Sequence, residues 1–131
     1  TLTASDTLEN LTYLVENLPE VSFHIAAKTN VSDRLEAFKK YDNVTLYTNV
    51  HHDDIIEDLL DQSEIYLDIN HWDQVDSIVD RAFEKGKPVF AFDNVVHRAE
   101  LGASVFSHQD PEMMVKEIQR QLFGIAVDTV N

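Results

Sequence analysis

The chain has 131 residues, 44% of them hydrophobic, which suits one domain with a single buried core. Its 24 acidic residues outnumber 10 basic ones, and the net charge of -14 disfavours binding to nucleic acid and contact with anionic membranes. The chain contains no cysteine, which excludes disulfides and thiolate metal sites and favours a cytoplasmic location. It also contains no apolar run long enough to span a bilayer.

Strand and helix patterns alternate along the chain. Short apolar runs predict strands, with Leu2 as the end of a first one, at residues 21–27, 44–47, 65–69, 88–92 and 103–107. Amphipathic spacing predicts helices between them, at residues 6–18, from 32, from 53, at 73–85 and at 110–122. This alternation predicts an α/β fold: a doubly wound parallel sheet of five to six strands with helices on both faces.

Several classes of site are disfavoured by what the sequence lacks. The three glycines, Gly86, Gly102 and Gly124, form neither a dinucleotide-binding nor a P-loop motif. No serine nucleophile elbow is present, so covalent hydrolase chemistry has no support. A receiver-like signalling domain needs an acidic pair after its first strand, whereas the strand at 21–27 ends in two alanines and Lys28.

Polar residues follow two successive predicted strands, at the edge where ligands of open parallel sheets bind. Asp68, Asn70 and His71 follow the first strand, and Asp93, Asn94 and His97 follow the second. A histidine beside a carboxylate favours sugar or nucleotide hydrogen bonding, or acid–base chemistry. The alternative is that these groups are solvated or cap loops.

Several other residues allow a functional and a structural interpretation. Lys28, at the end of a strand, is a candidate phosphate contact or a solvated cation. The cluster of histidines and aspartates at residues 51–54 is more typical of helix capping than of a metal site. The adjacent Met113 and Met114 are assigned to the core and its rim rather than to a cofactor site.

The order of elements resembles the carboxyl-terminal half of a GT-B glycosyltransferase, the domain that holds the nucleotide sugar in active members. The stretch Arg81-Ala-Phe-Glu-Lys-Gly-Lys-Pro-Val is similar to the family pattern Glu-Ala-Met-Ala-x-Gly-x-Pro-Val. The resemblance implies a single Rossmann-like domain over residues 1–131. Because the chain begins at Thr1 without methionine and enters a helical pattern almost at once, we interpret it as a fragment of a larger two-domain protein.

The chain departs from active retaining members at the turn after the strand at 65–69. Those members carry a Glu-Gly-Phe-Gly turn and, eight residues on, a second glutamate that grips the ribose. Here the turn reads Asn70-His-Trp-Asp, with Asp73 in place of the first acid and Arg81 in place of the second. Without glycine, close backbone approach to a diphosphate is harder.

Three segments are similar to the non-catalytic subunit of the accessory-secretion O-GlcNAc transferase: Phe23-His-Ile-Ala-Ala, Asn43-Val-Thr-Leu-Tyr and Tyr66-Leu-Asp-Ile-Asn-His. In that family, a degenerate GT-B protein stabilises the catalytic subunit and helps it engage serine-rich adhesins. The resemblance implies a supporting subunit without a cofactor, inactive as an isolated domain. The alternative is an active domain that binds a UDP-sugar donor through the following candidates: Asp68, Asn70, His71, Asp73, Asp93, Asn94 and His97, with Lys28 at a phosphate.

Overall fold

A computed structural model describes residues 1–3, 7–29, 32–71 and 75–124 of the chain. Its strands are β1 Leu2–Thr3, β2 Phe23–Ala27, β3 Val44–Tyr47, β4 Tyr66–Asp68, β5 Val89–Phe92 and β6 Ser104–Phe106. Its helices are α1 Leu11–Asn17, α2 Asp33–Glu36, α3 Asp53–Gln62, α4 Ile78–Glu84 and α5 Glu112–Phe123. Short 3-10 segments lie at Ala37–Lys40 and Ala99–Leu101.

The strands form two parallel three-stranded sheets, in the orders β1-β2-β3 and β4-β5-β6. The sheets meet where β1 faces β4. The Thr3 hydroxyl donates to Asn70 Oδ1 at 3.0 Å, and the Leu2 amide donates to the Tyr66 hydroxyl at 3.2 Å. The predicted α/β fold with five to six parallel strands is therefore confirmed.

Side chains that alternate along each strand produce a core on each face of the sheets. On one face, Phe23 and Ile25 of β2 pack in a cluster that includes residues of α1 and α5. On the other face, Ala26 and Tyr66 belong to a cluster with α3 and α4. All four residues of β5 are buried, as expected for a strand covered on both sides. The helices therefore lie on both faces of the sheets, as predicted.

The first helix differs from its predicted bounds. It begins at Leu11 rather than near residue 6. The reason is tertiary: Leu8 forms an antiparallel bridge with Asn70, and the Glu9 amide donates to the Ile69 carbonyl at 2.8 Å. Residues 7 and 8 are therefore held against the end of β4, and the chain turns at residues 9 and 10 into the helix, with a φ of 56° at Asn10.

The fourth helix also differs, because α4 begins at Ile78 rather than near residue 73. The predicted start at Asp73, like the predicted cap at Asp6, lies outside the described residues. Within the part of the chain that is described, no helix combines the length and apolar character needed to cross a membrane.

Two neighbouring methionines test the core assignment. Met114 of α5 is fully buried, whereas Met113 is 52% exposed. We expect Met114→Ala to lower the free energy of unfolding by about 2–5 kcal/mol, because it leaves a cavity against the sheet. The matched variant Met113→Ala should change it by less than about 0.5 kcal/mol. Urea unfolding followed by circular dichroism measures both, and equal losses would contradict this placement of the core.

Candidate functional site

The candidate site is the carboxyl edge, by which we mean the loops that follow β1, β4, β5 and β6. Parallel strands bring these loops to the same end of a sheet. The structure describes six of the seven predicted donor-contact residues there; Asp73 lies outside the described residues. Each of the six is in contact with another side chain or loop of the chain itself, as follows.

Asp68 and His97 form the most buried of these contacts. Asp68 is 2% exposed, and its carboxylate accepts a hydrogen bond from the His97 amide at 2.8 Å. The His97 ring Nδ1 lies 2.5 Å from the other carboxylate oxygen. Burial raises the pKa of Asp68, while the bonds to His97 act in the opposite direction. The structure thus brings Asp68 and His97 together, and a role for them in binding a sugar nucleotide stays a prediction.

Asp93 contacts a histidine that the sequence analysis did not select. The His108 amide donates to Asp93 Oδ1 at 3.1 Å, and the ring Nδ1 lies 2.7 Å from the same oxygen. Hydrogen bonding to His108 lowers the pKa of Asp93 below its usual value. The loop also contacts the start of α1, because the Asn10 side chain donates to the His108 carbonyl at 2.9 Å.

His71 and Asn94 converge on Glu9, a second residue that the sequence analysis missed. The His71 Nε2 lies 2.6 Å from Glu9 Oε1, and the Asn94 amide donates to the same oxygen at 3.1 Å. The three residues come from the loops after β4, β5 and β1. Glu9 therefore connects three loops of the carboxyl edge.

The remaining candidates also lie against residues of the chain. Lys28 forms an ion pair with Asp76 at 2.7 Å, across the gap between the end of β2 and the segment before α4. Asn70 is 2% exposed and accepts the hydrogen bond from Thr3. The structure thus places Lys28 on a carboxylate, and contact with a phosphate stays a prediction.

Little in the local sequence singles out Glu9, Asp76 and His108. Glu9 lies within a helical pattern, and its contact with His71 joins residues 62 positions apart. His108 follows the last short strand, so its position at the carboxyl edge could have been found by extending the strand-end rule to that strand. The sequence analysis did not select Asp76, because it predicted a helix that starts before this residue.

The carboxyl edge offers no evident metal centre. Among the described ranges of the chain, no three histidine, aspartate or glutamate residues lie close enough together to hold a metal ion. A cavity of about 290 Å³ lies instead at the opposite end of the strands, between the starts of β2 and β4. The chemistry available at the carboxyl edge is therefore hydrogen bonding between carboxylates, imidazoles and amides.

The pKa shifts of Asp93 and Asp68 predict that their contributions to the free energy of unfolding change with pH in opposite directions. The pKa of Asp93 is lowered by folding, so its contribution to stability is present above the unfolded pKa and is lost as pH falls through the folded value. The pKa of Asp68 is raised, so its contribution is present at low pH and declines as pH rises through its folded value.

NMR titration of the side-chain carboxyl carbons of Asp68 and Asp93 tests the directions of these two pKa shifts. We expect His108→Ala to move the pKa of Asp93 back up towards its usual value, because the ring contact is lost. His97→Ala should raise the pKa of Asp68 further. His51→Ala, at an exposed histidine outside the carboxyl edge, serves as the control and should move neither. An unchanged pKa for Asp93 in His108→Ala would contradict the pairing.

With this geometry in place, comparisons with known proteins can be considered. Residues 1–125 match the family model described as the GftB/GlyA-F C-terminal domain. The chain is 42% identical, over 94% of its length, to the protein of Streptococcus agalactiae named UDP-N-acetylglucosamine--peptide N-acetylglucosaminyltransferase stabilizing protein GtfB. It is 41% identical, over 93% of its length, to glycosyltransferase GlyB of Streptococcus pneumoniae. The chain spans only 28% and 30% of these two relatives.

Two solved structures are also similar to this chain. The glycosyltransferase GlyE of Streptococcus pneumoniae matches 92% of this chain with a TM-score of 0.86 and 34% identity, and the chain spans 31% of it. A GtfA/B complex bound to UDP and GlcNAc contains a chain that matches 95% of this one, with a TM-score of 0.83 and 36% identity; this chain spans 28% of it. From the family match and these relatives, the chain belongs to the GftB/GlyA-F C-terminal domain family.

Proposed function

We propose that this chain is the carboxyl-terminal domain of a degenerate GT-B subunit that stabilises a partner peptide GlcNAc transferase. In this role it supports cytoplasmic O-glycosylation of a serine-rich adhesin and performs no sugar transfer itself. Relatives in three streptococcal species and in Limosilactobacillus reuteri carry the name stabilizing protein GtfB, at 36–42% identity. One structural neighbour is a chain of a GtfA/B complex bound to UDP and GlcNAc.

The observation that carries the proposal is the pairing of polar groups at the carboxyl edge. A donor site needs hydrogen-bonding groups and cations directed at the ligand. Here the carboxylates of Asp68 and Asp93 are bonded to histidines, and the Lys28 ammonium is bonded to Asp76. A UDP-sugar would have to break these contacts, in a domain whose net charge of -14 already opposes a diphosphate.

Arg81 supplies a second argument. It lies where active retaining members carry the ribose-binding glutamate, according to the resemblance drawn from the sequence. Its guanidinium bonds to Glu57 of α3, with the Nε contact at 3.1 Å, and lies 3.6 Å from Asp53. Arg81 therefore connects α4 to α3, which fits a stabilising scaffold better than a nucleotide site.

The alternative is an active domain that binds a UDP-sugar. It is favoured by the relatives named glycosyltransferases GlyA, GlyB and GlyF, at 35–41% identity. The donor contacts would then be Asp68, Asn70, His71, Asp73, Asp93, Asn94 and His97, with Lys28 at a phosphate. In either case the partner, acceptor and activity concern a longer protein than this chain.

Calorimetric titration of the full-length protein with UDP-GlcNAc separates the two proposals. We expect no measurable binding at millimolar donor, because the candidate phosphate contact Lys28 is already paired with Asp76. We expect Lys28→Ala and the exposed control Lys116→Ala to behave alike. Tight binding that falls at least tenfold in Lys28→Ala, but not in Lys116→Ala, would overturn the stabilising-subunit proposal in favour of the active domain.

Co-expression tests the supporting role itself. The full-length protein should raise the soluble yield of the partner transferase and the incorporation of GlcNAc into a serine-rich acceptor. Variants of the carboxyl-edge candidates that retain the fold, such as Asn94→Ala, should preserve this effect. An unchanged yield of the partner with and without the protein would contradict the proposed role.

A further inference from the structure

Helix α3 carries its carboxylates in two rows, and the first row is paired with α4. Asp53, Glu57 and Asp61 are spaced four residues apart, so they lie on one flank of the helix. Lys85 Nζ of the neighbouring segment lies 2.7 Å from both Glu57 and Asp61, and Arg81 of α4 lies 3.6 Å from Asp53. Two cations four residues apart therefore neutralise this row.

The second row, Asp54 and Asp58, lies on the solvent side of α3. These two residues are also four apart, and both are exposed. Asp54 Oδ1 accepts a hydrogen bond from the Ile55 amide at 3.1 Å. Among the residues that the structure describes, no lysine or arginine forms an ion pair with either carboxylate. This row is therefore accessible to cations of another molecule.

An apolar flank of α3 lies beside the second row, on the side away from α4. Ile55 is 42% exposed, and Leu59 is partly buried against the core of this face. Tyr47 of β3 packs against the same core cluster as Leu59, so the flank borders the strands β2 and β3. The His24 ring fixes Tyr47, because its Nδ1 lies 2.9 Å from the Tyr47 hydroxyl.

The described residues cover the two faces of β2 and β3 unequally. Phe23 and Ile25 are buried on the face that carries α1 and α5. On the face that carries α3 and α4, Thr45 is exposed and Tyr47 is half-buried, and β3 is the edge strand of its sheet. Since packed helices lie about 8–10 Å apart, the surface beside α3 has room for one more helix.

We propose that this surface binds an amphipathic helix of the partner transferase. We call it the α3 surface: Ile55, Leu59 and Tyr47, with Asp54 and Asp58 at its rim. The bound helix places apolar side chains against the sheet and lysine or arginine residues, four positions apart, against the rim. The proposal rests on the stabilising role proposed above and names the surface through which this domain performs it.

The chain itself contains the model for this contact. On the opposite flank of α3, α4 buries Ile78, Val79 and Ala82 against the sheets, while Arg81 and Lys85 pair with carboxylates of α3. Charge also selects a basic partner over a second copy of the chain. A second copy would bring its own net charge of -14 to an acidic rim.

Affinity measurements between the full-length protein and the purified partner transferase test the apolar part of the surface. We expect Ile55→Glu to weaken binding at least about tenfold, because it places a charge in the contact. The matched control Met113→Glu changes an exposed apolar residue of α5, on the other face of the sheets. It should change the affinity by less than about twofold.

Charge reversal tests the rim. The double variant Asp54→Lys, Asp58→Lys should also weaken binding at least about tenfold, because it repels the cations of the partner helix. Glu20→Lys with Asp42→Lys makes the same change in net charge at exposed residues outside the α3 surface. This control should keep the affinity within about twofold of the unchanged protein.

Four outcomes would overturn the proposal, and they can be distinguished. Unchanged affinity in Ile55→Glu and in the rim variant would exclude the α3 surface and leave the stabilising role intact. Absence of binding by the unchanged protein would contradict that role, and the docking surface with it. A marked fall in the Tm of the free Ile55→Glu protein would show that the rest of the same polypeptide covers the surface. Loss of self-association in Ile55→Glu would assign the surface to a second copy.

Discussion

The buried contact between Asp68 and His97 is the constraint on which the carboxyl edge depends. A carboxylate that is 2% exposed is costly unless hydrogen bonds replace its lost water. Both replacements come from one residue, through its backbone amide and its ring. Because Asp68 ends β4 and His97 follows β5, this contact fixes the loop after β5 above the end of β4.

The other contacts of the carboxyl edge extend this arrangement. Glu9 draws together the loops after β1, β4 and β5, and His108 attaches the loop after β6 to Asp93. These pairs are more exposed than Asp68, so each is individually weak in water. Together they form an edge that is ordered by its own side chains.

The sequence predicted the fold well because βαβ units have a strong local signature. The apolar run at Val89–Phe92 and the amphipathic helix before it need no knowledge of distant residues. It predicted the start of α1 less well, because the bridge between Leu8 and Asn70 is a long-range contact. The strand-end rule placed Asp68 and His97 at the same edge of the sheet. It could not assign Glu9 to His71 or Asp76 to Lys28, since those pairings depend on how separate loops meet.

A double-mutant cycle on Asp68 and His97 tests the central claim most directly. Urea unfolding would compare Asp68→Asn, His97→Ala and the double variant with the unchanged chain. If the two residues stabilise the carboxyl edge by contacting each other, the double variant should lose less than the sum of the single losses, by about 0.5–3 kcal/mol. Losses that add to within about 0.5 kcal/mol would contradict the account.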